Sequence, residues 1–253
     1  MRYELTLCWL YPRQLSLYGD RGNVIVLLER ARLRNVTCRL IQVGLEESLE
    51  SLNYDIIFMG GGADANQNYI YKDFLEHKKD NLIEYYNTNG VGLFICGAYQ
   101  LLGKSYIMGD GSVINGLGLA DFTTYADSSL PRCVGRVTSI MAQPVFGRCY
   151  LVGFENHAGR TYLSSDSCYL SKVTSGFGNN GKDSTEGWCE RNFYATYLHG
   201  PFLPLNPFMA DWLIHKALLN KYGDSLALSD LADDQLIYSA RQRLLKKVTY
   251  SPI

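Results

Sequence analysis

Two periodicities alternate along the first hundred residues of the chain. Short apolar runs typical of β-strands are separated by longer stretches in which apolar residues recur at helical spacing. The runs that predict strands are 3–9, 36–43, 55–59 and 90–95, and the stretches that predict helices are 23–35 and 67–87. Because strands that are apolar on both faces need cover on both sides, this alternation predicts an α/β fold with a mostly parallel sheet flanked by helices.

The pattern changes after about residue 106. Glycine punctuates a series of short segments there, which predicts antiparallel or irregular additions near a site. The later elements that we predict are a strand at 193–198 and helices at 206–223 and 229–246. We therefore expect a main domain over residues 1–224 and a C-terminal helical tail over residues 225–253.

Composition narrows the class of protein. With 253 residues, 47% of them hydrophobic and 19% charged, the chain suits one large domain with a sizeable core. A formal charge of −1 without a long basic run argues against a nucleic-acid partner. No apolar stretch reaches the roughly 18 residues of a membrane span, and the first residues lack signal-peptide features, so we expect a cytoplasmic protein. The seven cysteines form no CxxC pair, so we expect reduced thiols and no bound metal.

Cys96 occupies the sharpest local motif. It follows the apolar run 90–95 and precedes two small residues, Gly97 and Ala98, and a helix-forming segment. Small neighbours allow the tight turn of a nucleophile elbow, and the helix N-terminus beyond it favours a thiolate. The motif predicts Cys96 as a nucleophile. The alternative is a buried core cysteine, which is the commoner role of a lone cysteine after an apolar run.

Gly60, Gly61 and Gly62 end the neighbouring predicted strand. In an open α/β sheet, ligands bind in the crevice beyond the carboxyl ends of the strands, so this loop and Cys96 are expected to meet there. Backbone N–H groups of the loop, with the N–H that follows the cysteine, would then converge on an oxyanion formed when the thiolate attacks a carbonyl. A plain turn is the alternative for these glycines.

The segment from Gly97 to Ser105 does not fit a phosphate-binding loop. Its spacing is one residue longer than GxxxxGK[ST], and Ala98 stands where the first glycine would have to be. The residues between are apolar and helix-prone rather than a flexible cradle of amides. We therefore expect no ATP site here and interpret Lys104 as a cation at a helix end.

Of the four histidines, His199 is best placed to act as a base. It lies at the end of the strand predicted at 193–198, whereas His77 and His215 lie on predicted helices. Paired with a thiol, an imidazole deprotonates the nucleophile and later protonates the leaving amine. His157, in FENHAGRT, is the competitor, but its polar neighbours are more typical of a ligand-binding loop. A structural role for His199 is the alternative.

Seven segments carry a resemblance to a known family through their order and spacing. They are LYGDRGN (17–23), GGGADANQ (60–67), ICGAYQLLG (95–103), GFENHAGRT (153–161), GFGNN (176–180), EGW (186–188) and TYLHGPFLPLNP (196–207). Together they resemble the glutaminase subunits of lipid II isoglutaminyl synthase, within the class I glutamine amidotransferases of the cobyric acid synthase type. The resemblance spans about residues 3–220 and implies a flavodoxin-like glutaminase domain over 1–224.

The resemblance assigns roles to the candidate residues. It implies that Cys96 attacks the side-chain amide of glutamine, giving a glutamyl thioester and ammonia, and that water then releases glutamate. His199 would act as base and acid. Backbone N–H groups of Gly61 or Gly62 and of Gly97 would form the oxyanion hole.

Three further residues take roles around the substrate by the same resemblance. Gln100, four residues past the nucleophile, would contact bound glutamine, and Asn156 would do so from the FENHAGRT segment. Arg132, in PRCVGR, falls where the family has an arginine near the entrance to the active site.

Two departures from the wider class alter what we expect. Many class I amidotransferases have a carboxylate two residues after the histidine, but Gly200 and Pro201 follow His199, so we expect a Cys/His dyad in which other hydrogen bonds orient the imidazole. Ala98 stands where the family usually has a second glycine, and its methyl group would add strain if this position required a positive φ.

Glutamine hydrolysis alone would release ammonia without an acceptor, so the resemblance also implies a partner. That partner is a Mur-ligase-like synthetase subunit, MurT, which binds ATP and Mg²⁺ and amidates the D-glutamate of lipid II to D-isoglutamine at the inner face of the cytoplasmic membrane. No cofactor is expected in this chain. The alternatives are the glutaminase component of a cobyric acid synthase-type amidotransferase and an inactive scaffold of the same fold.

Overall fold

Strands and helices alternate from Tyr3 onward in the computed structural model, which describes residues 3–16, 19–50, 53–62, 64–126, 129–224 and 230–248. The strands are β1 (Tyr3–Leu10), β2 (Val36–Val43), β3 (Ile56–Met59), β4 (Val91–Ile95), β5 (Ser105–Ile107), β6 (Val113–Asn115), β7 (Phe122–Ala126), β8 (Cys133–Val145), β9 (Arg148–His157), β10 (Gly159–Leu163), β11 (Ser171–Ser175), β12 (Thr185–Glu186), β13 (Trp188–Glu190) and β14 (Phe193–Thr196). The helices are α1 (Arg21–Leu33), α2 (Asp64–His77), α3 (Lys79–Asn87), α4 (Gly97–Leu102), α5 (Phe202–Leu205), α6 (Pro207–Tyr222) and α7 (Asp234–Val248).

A six-stranded sheet in the order β13-β14-β4-β3-β1-β2 carries the candidate site. Its neighbouring strands are parallel, except that β13 and β14 are antiparallel. Strands β3 and β4 are buried along their whole length, as expected of strands covered on both faces. The predicted α/β fold with a mostly parallel sheet is confirmed. Because β4 lies between β3 and β14, the segments that follow these three strands emerge side by side at the carboxyl edge of the sheet.

The stretch predicted as one helix over 67–87 is two helices, α2 and α3, and this part of the prediction is wrong. Lys78 separates them, with φ −134° and ψ −18°. Its side chain is buried, its ammonium donates to Asp73 Oδ2 at 2.6 Å, and it lies over the ring of Tyr11. A buried ammonium needs such a partner, and the turn between the helices supplies the geometry for it.

Two smaller sheets are built from the second half of the chain, as the glycine-punctuated pattern predicts. Their strand orders are β10-β7-β5-β6 and β12-β11-β8-β9, and all neighbours are antiparallel except β5 and β7. Strand β9 is tied to the central sheet at Phe154. Its N–H donates to His199 O at 3.1 Å, and its carbonyl accepts from His199 N–H at 2.7 Å. The added sheets therefore reach the candidate site directly.

Helix α6 ends at Gly223, whose φ of 68° is the left-handed conformation that commonly closes helices. The predicted tail helix is present as α7, while residues 225–229 and 249–253 of the tail lie outside the described ranges. The domain boundary at residue 224 stays a prediction. None of the helices in the described ranges combines the length and the apolar character that crossing a bilayer requires.

A buried ion network fixes α7 to the main domain. The guanidinium of Arg30, on α1, donates to Asp211 Oδ1 on α6 and to Asp234 Oδ1 on α7, both at 2.7 Å. These side chains are each 7% exposed or less. Charges buried to this degree are tolerated only when they are paired and hydrogen-bonded. The ion pairs of Arg30 with Asp211 and Asp234 therefore hold the three helices together.

We expect Asp234→Ala to lower the free energy of unfolding by about 2 kcal/mol, because it leaves the buried guanidinium of Arg30 with one carboxylate fewer. Urea unfolding followed by circular dichroism would measure the loss. Glu29→Ala is the matched control, because Glu29 pairs with Arg32 on the exposed face of α1. It should leave the unfolding midpoint unchanged. Equal effects of the two substitutions would contradict a fastening role for the network.

Candidate active site

Cys96 stands at a sharp turn between β4 and α4. Its backbone has φ 55° and ψ −106°, a conformation that side-chain-bearing residues rarely adopt. Its N–H donates to Thr196 O at 2.9 Å, which ties the turn to β14, and the residue is 7% exposed. The turn lifts the thiol above the carboxyl edge of the sheet, which is the geometry of a nucleophile elbow.

His199 is brought to Cys96 from the neighbouring strand. The imidazole forms a side-chain hydrogen bond with Cys96, and its Nδ1 lies 3.2 Å from Asp20 Oδ1. Because the carboxylate accepts the Nδ1 proton, Nε2 is the nitrogen left for the thiol. All three side chains are buried, so the sequence-predicted pair meets in a site shielded from bulk water.

Asp20 is a residue of this site that the sequence analysis missed. It lies in the LYGDRGN segment, of which Leu17 and Tyr18 are outside the described residues, and the resemblance assigned no role to this segment. The structure does place Asp20 at the N-cap of α1, but its side chain makes no capping hydrogen bond. Instead it reaches His199 and accepts from Gly61 N–H at 2.7 Å. The sequence offers one signal for this role, which is that LYGDRGN contains an acidic residue and has no other assigned function.

Two opposing influences act on the pKa of His199. Burial lowers it, because a buried imidazolium loses its hydration. The hydrogen bonds to Asp20 and Cys96, and the negative charge of both partners, more than offset burial and raise the pKa from 6.5 to about 10. The imidazole is therefore a stronger base than a free histidine, and once protonated it is held as a cation between its two partners.

Gly61 is in contact with all three of these side chains. A methyl group added to it would lie 2.7 Å from His199 Cε1, 3.1 Å from Cys96 Cβ and 3.4 Å from Asp20 Oδ2. Only a residue without a side chain fits at that point. The N–H of Gly61 donates to Asp20 and is therefore not free to stabilise an oxyanion. The sequence analysis named Gly61 or Gly62 for that role, so the half-buried Gly62 is the remaining candidate in this loop.

Gly97 is the first residue of α4, and its N–H is one of the donors that a helix leaves without an intrahelical acceptor. Its carbonyl accepts from Tyr71 Oη at 2.7 Å, which fixes the orientation of this peptide. Ala98 follows inside α4 and is not among the residues with positive φ. The strained position of the elbow is Cys96 itself, so the methyl group of Ala98 adds no backbone strain.

Gln100 lies one helical turn beyond Cys96. Its N–H donates to Cys96 O at 3.0 Å, and its carboxamide is buried, with Nε2 donating to Tyr197 Oη at 3.1 Å. Residues four positions apart share one face of a helix, so Gln100 and Cys96 face the same side of α4.

Arg132 and Asn156 are brought together at the start of the hairpin formed by β8 and β9. Arg132 Nε donates to Asn156 Oδ1 at 2.9 Å, and its Nη2 donates to the Asn156 carbonyl at 3.2 Å. The arginine is exposed, whereas Asn156 is half-buried. A guanidinium held in this way is a pre-oriented cation at the protein surface.

His157, the competing histidine, ends strand β9 rather than lying in a ligand-binding loop. Its Nδ1 is 2.7 Å from Gly159 O, and its ring stacks on Tyr197 with centroids 3.7 Å apart. Burial lowers its pKa below the ordinary value, so the ring is neutral at pH 7. His157 is thus part of the packing beside the site, and His199 holds the position of the base.

Among the described residues, no three His, Cys, Asp or Glu side chains converge as a metal-binding group.

Lys104, interpreted from sequence as a helix-end cation, follows α4 by two residues and pairs with Asp121 at 2.6 Å on the surface.

Comparison with known proteins places this geometry in a family. Residues 6–207 match the CobB/CobQ-like glutamine amidotransferase domain. The chain is 41% identical over 219 residues to the GatD subunit of the glutamine-hydrolysing lipid II isoglutaminyl synthase of Staphylococcus aureus, a match that covers 87% of this chain and 86% of that protein. The GatD subunit of Streptococcus pneumoniae is 36% identical over 231 residues, covering 91% and 87%.

A solved structure agrees at the level of the fold. A glutamine amidotransferase from Thermotoga maritima superposes with a TM-score of 0.51 at 15% identity, over 99% of this chain and all of that one. The fold, the elbow and the sequence matches are mutually consistent. The chain therefore belongs to the CobB/CobQ-like glutamine amidotransferase family, and within it to the group that contains the GatD subunits of lipid II isoglutaminyl synthases.

Proposed function

We propose that this chain is the glutaminase subunit of a lipid II isoglutaminyl synthase and hydrolyses L-glutamine to glutamate and ammonia. The observation that carries the proposal is the convergence of Cys96, at a strained elbow, with a buried His199 whose pKa is raised to about 10. The two relatives that match most of this chain are subunits of glutamine-hydrolysing lipid II isoglutaminyl synthases, and the matches cover 86% and 87% of those proteins, which supports the proposal.

The positions of Cys96 and His199 support a thioester mechanism. His199 Nε2 holds the proton that the Cys96 thiol gives up, and the sulfur, as the thiolate, attacks the side-chain amide carbon of glutamine. The N–H groups of Gly97 and Gly62 stabilise the oxyanion of the tetrahedral intermediate. The imidazolium then gives its proton to the departing nitrogen, so that ammonia leaves and a glutamyl thioester forms. Water, deprotonated by His199, attacks the thioester, releasing glutamate and returning the proton to sulfur.

Asp20 extends the expected dyad to a triad in this proposal. Its Oδ1 holds the imidazole in the tautomer that presents Nε2 to sulfur, which is the role of the acid in Ser/His/Asp sites. Its Oδ2 holds the glycine loop through Gly61 N–H. Many class I amidotransferases have a carboxylate two residues after the histidine, where this chain has Pro201. Asp20, at the start of α1, supplies the carboxylate instead.

Gln100, Asn156 and Arg132 form the substrate side of the site in this proposal. Gln100 faces the same side of α4 as Cys96, which supports a contact with bound glutamine. Asn156 and Arg132 are hydrogen-bonded to each other and take part as a pair, with the guanidinium at the entrance attracting the carboxylate of glutamine.

Ammonia needs an acceptor, and we propose that a Mur-ligase-like synthetase of the MurT type supplies it. The relatives named GatD are each one subunit of a synthase, which supports a partner for this chain. The partner would bind ATP and Mg²⁺, activate the α-carboxyl of the D-glutamate in lipid II, and receive ammonia to give D-isoglutamine.

Cys96→Ala should lower the rate of glutamate release from glutamine by at least about a thousandfold, because no other group in the site forms the thioester. The chain, purified with its synthetase partner, is assayed for glutamate. Cys168→Ala is the matched control, since Cys168 is an exposed thiol, and it should retain full activity. Glutaminase activity that survives in Cys96→Ala would refute the assignment of the nucleophile.

Asp20→Asn should lower kcat by about a hundredfold or more, because the amide does not stabilise the imidazolium and can favour the wrong tautomer. In the unmodified protein, activity should fall as pH rises through the pKa of about 10, where the proton for the leaving ammonia is lost. The substitution should move this alkaline limb to lower pH. Rate profiles from pH 6 to 11 would measure both effects, and Asp110→Asn, at an exposed carboxylate that binds Ser112, is the control.

The same raised pKa predicts a direction for stability. Because the folded-state pKa of His199 exceeds the ordinary 6.5, its contacts stabilise the fold fully below about pH 6.5, and this contribution is lost as pH rises through about 10. Asp20→Asn should therefore reduce stability more at pH 6 than at pH 10. An equal loss at both pH values would contradict the pairing.

Glutamine and ATP together should support isoglutamine formation on lipid II only when the chain is combined with its Mur-ligase-like partner. ATP should bind the complex and not the isolated chain, because the segment from Gly97 to Ser105 lacks the spacing of a phosphate loop. Calorimetric titration and analysis of the amidated precursor would measure these outcomes. Tight ATP binding to the isolated chain would contradict the proposal that the partner subunit binds the nucleotide.

A further inference from the structure

The carboxamide of Gln100 is only half satisfied. It is 2% exposed, and its Nε2 donates to Tyr197 Oη at 3.1 Å. Its Oε1 is buried without a hydrogen-bond partner among the described residues. A buried carbonyl oxygen in this state is unfavourable, and in native proteins such an atom generally finds a donor. The open acceptor beside the nucleophile therefore calls for a ligand that carries N–H or O–H groups.

The hydrogen-bond partner of the carboxamide, Tyr197, belongs to a chain of buried hydroxyl groups. Tyr197 Oη lies 2.6 Å from Thr161 Oγ1, which lies 2.7 Å from Thr124 Oγ1. An amide N–H can only donate, so the oxygen of Tyr197 accepts from Gln100. The hydroxyl groups of Tyr197, Thr161 and Thr124 continue from it as a hydrogen-bonded chain. With Nε2 engaged by Tyr197, Oε1 is the open atom of the carboxamide.

The ring of Tyr197 is clamped so that its hydroxyl cannot move away. His157 stacks on one face with centroids 3.7 Å apart and planes 13° apart, and Tyr99 packs edge-on with centroids 5.1 Å apart. The backbone of Gly159 also lies so close to the carboxamide of Gln100 that an added methyl group would overlap its Nε2. Both partners of the hydrogen bond are therefore held in place.

Gln100 lies one helical turn from the nucleophile. Gln100 N–H donates to Cys96 O, one helical turn along the same face. When the amide carbon of glutamine is at the sulfur of Cys96, the α-carbon end of the substrate extends beyond it. That end carries an ammonium, which donates hydrogen bonds, and a carboxylate, which only accepts them. A carbonyl oxygen can bind the first and not the second.

We propose that Tyr197, acting through Thr161 and Thr124, is a positioning residue that fixes the carboxamide of Gln100 so that Oε1 accepts from the α-ammonium of glutamine. The hydroxyl chain thereby selects a substrate with an α-amino group over an otherwise identical amide that lacks it. This inference rests on the proposed glutaminase function and assigns the specificity of that site to residues that touch neither the sulfur nor the substrate.

Tyr197→Phe tests the inference, because phenylalanine keeps the ring stack and removes only the hydroxyl. Without it the carboxamide can turn and present Nε2, so KM for glutamine should rise about tenfold while kcat stays within about twofold. The comparison substrate is 5-amino-5-oxopentanoate, which is glutamine without its α-ammonium. The preference in kcat/KM for glutamine over this analogue should fall by about the same tenfold.

Further variants separate positioning from a general structural defect. Tyr194→Phe is the matched control, since Tyr194 lies on β14, three residues before Tyr197, and its hydroxyl accepts from Trp212 Nε1 on α6, away from Gln100. It should leave KM and the substrate preference unchanged. Thr161→Val should raise KM by a smaller factor, and Thr161→Ser, which keeps the hydroxyl, should restore it. A structural defect would instead affect both substrates equally.

The outcomes distinguish this inference from the proposed function. If the unmodified complex hydrolyses glutamine and Tyr197→Phe leaves KM or the substrate preference unaltered, the positioning role is overturned and the glutaminase function stands. A Thr161→Val variant that behaves as wild type would overturn the role of the hydroxyl chain. If the unmodified chain with its partner subunit hydrolyses no glutamine, the proposed function is overturned, and this inference with it.

Discussion

The carboxylate of Asp20 is the constraint on which the geometry of the site depends. One oxygen holds the imidazole of His199, and the other holds the N–H of Gly61. The three groups come from the start of α1, the end of β14 and the loop after β3, so a single buried anion sets their relative positions. A buried carboxylate without these donors would be strongly unfavourable. The fold is therefore stable only when α1, the loop after β3 and the segment after β14 bring these donors to Asp20.

The strain at Cys96 is sustained by the packing around it. A non-glycine residue in this part of φ/ψ space costs about 1–3 kcal/mol and persists only where the surroundings enforce it. Here β4 is buried along its length, α4 is buried at each residue from Gly97 to Leu102, and Cys96 N–H is tied to Thr196. The central sheet and α4 therefore hold the thiol in place.

Local chemistry made the elbow, the strands and the histidine predictable from sequence. Apolar runs mark β3 and β4, and small residues after Cys96 mark a tight turn, all within a few positions of one another. Asp20 was not predictable in this way, because it meets His199 across 179 positions and the sequence near it indicates only a helix start. The break at Lys78 was missed for a related reason. Periodicity continues through it, and only the buried partner Asp73 explains why the helix stops there.

The motifs that carried the family resemblance divide into two physical tasks. Cys96, His199 and the glycine loop form the candidate site itself, whereas the acidic residues of the FENHAGRT and EGW segments satisfy backbone donors beside it. Glu155 accepts from the N–H groups of Phe177 and Gly178. Glu186 accepts from Tyr197 N–H and from Thr196 Oγ1, both at 2.8 Å.

Glu186 satisfies backbone donors at the point where β14 ends. Burial raises the pKa of Glu186 to about 7, although its hydrogen bonds to Tyr197 and Thr196 oppose the shift. Thr196 Oγ1 in turn accepts from Leu198 N–H at 3.0 Å, so the donors that a terminating strand leaves unpaired are satisfied up to the residue before His199. The imidazole of His199 thus leaves the sheet from a segment whose backbone is already fixed. A motif residue without chemical function of its own is therefore still required for the geometry of the residues that have one.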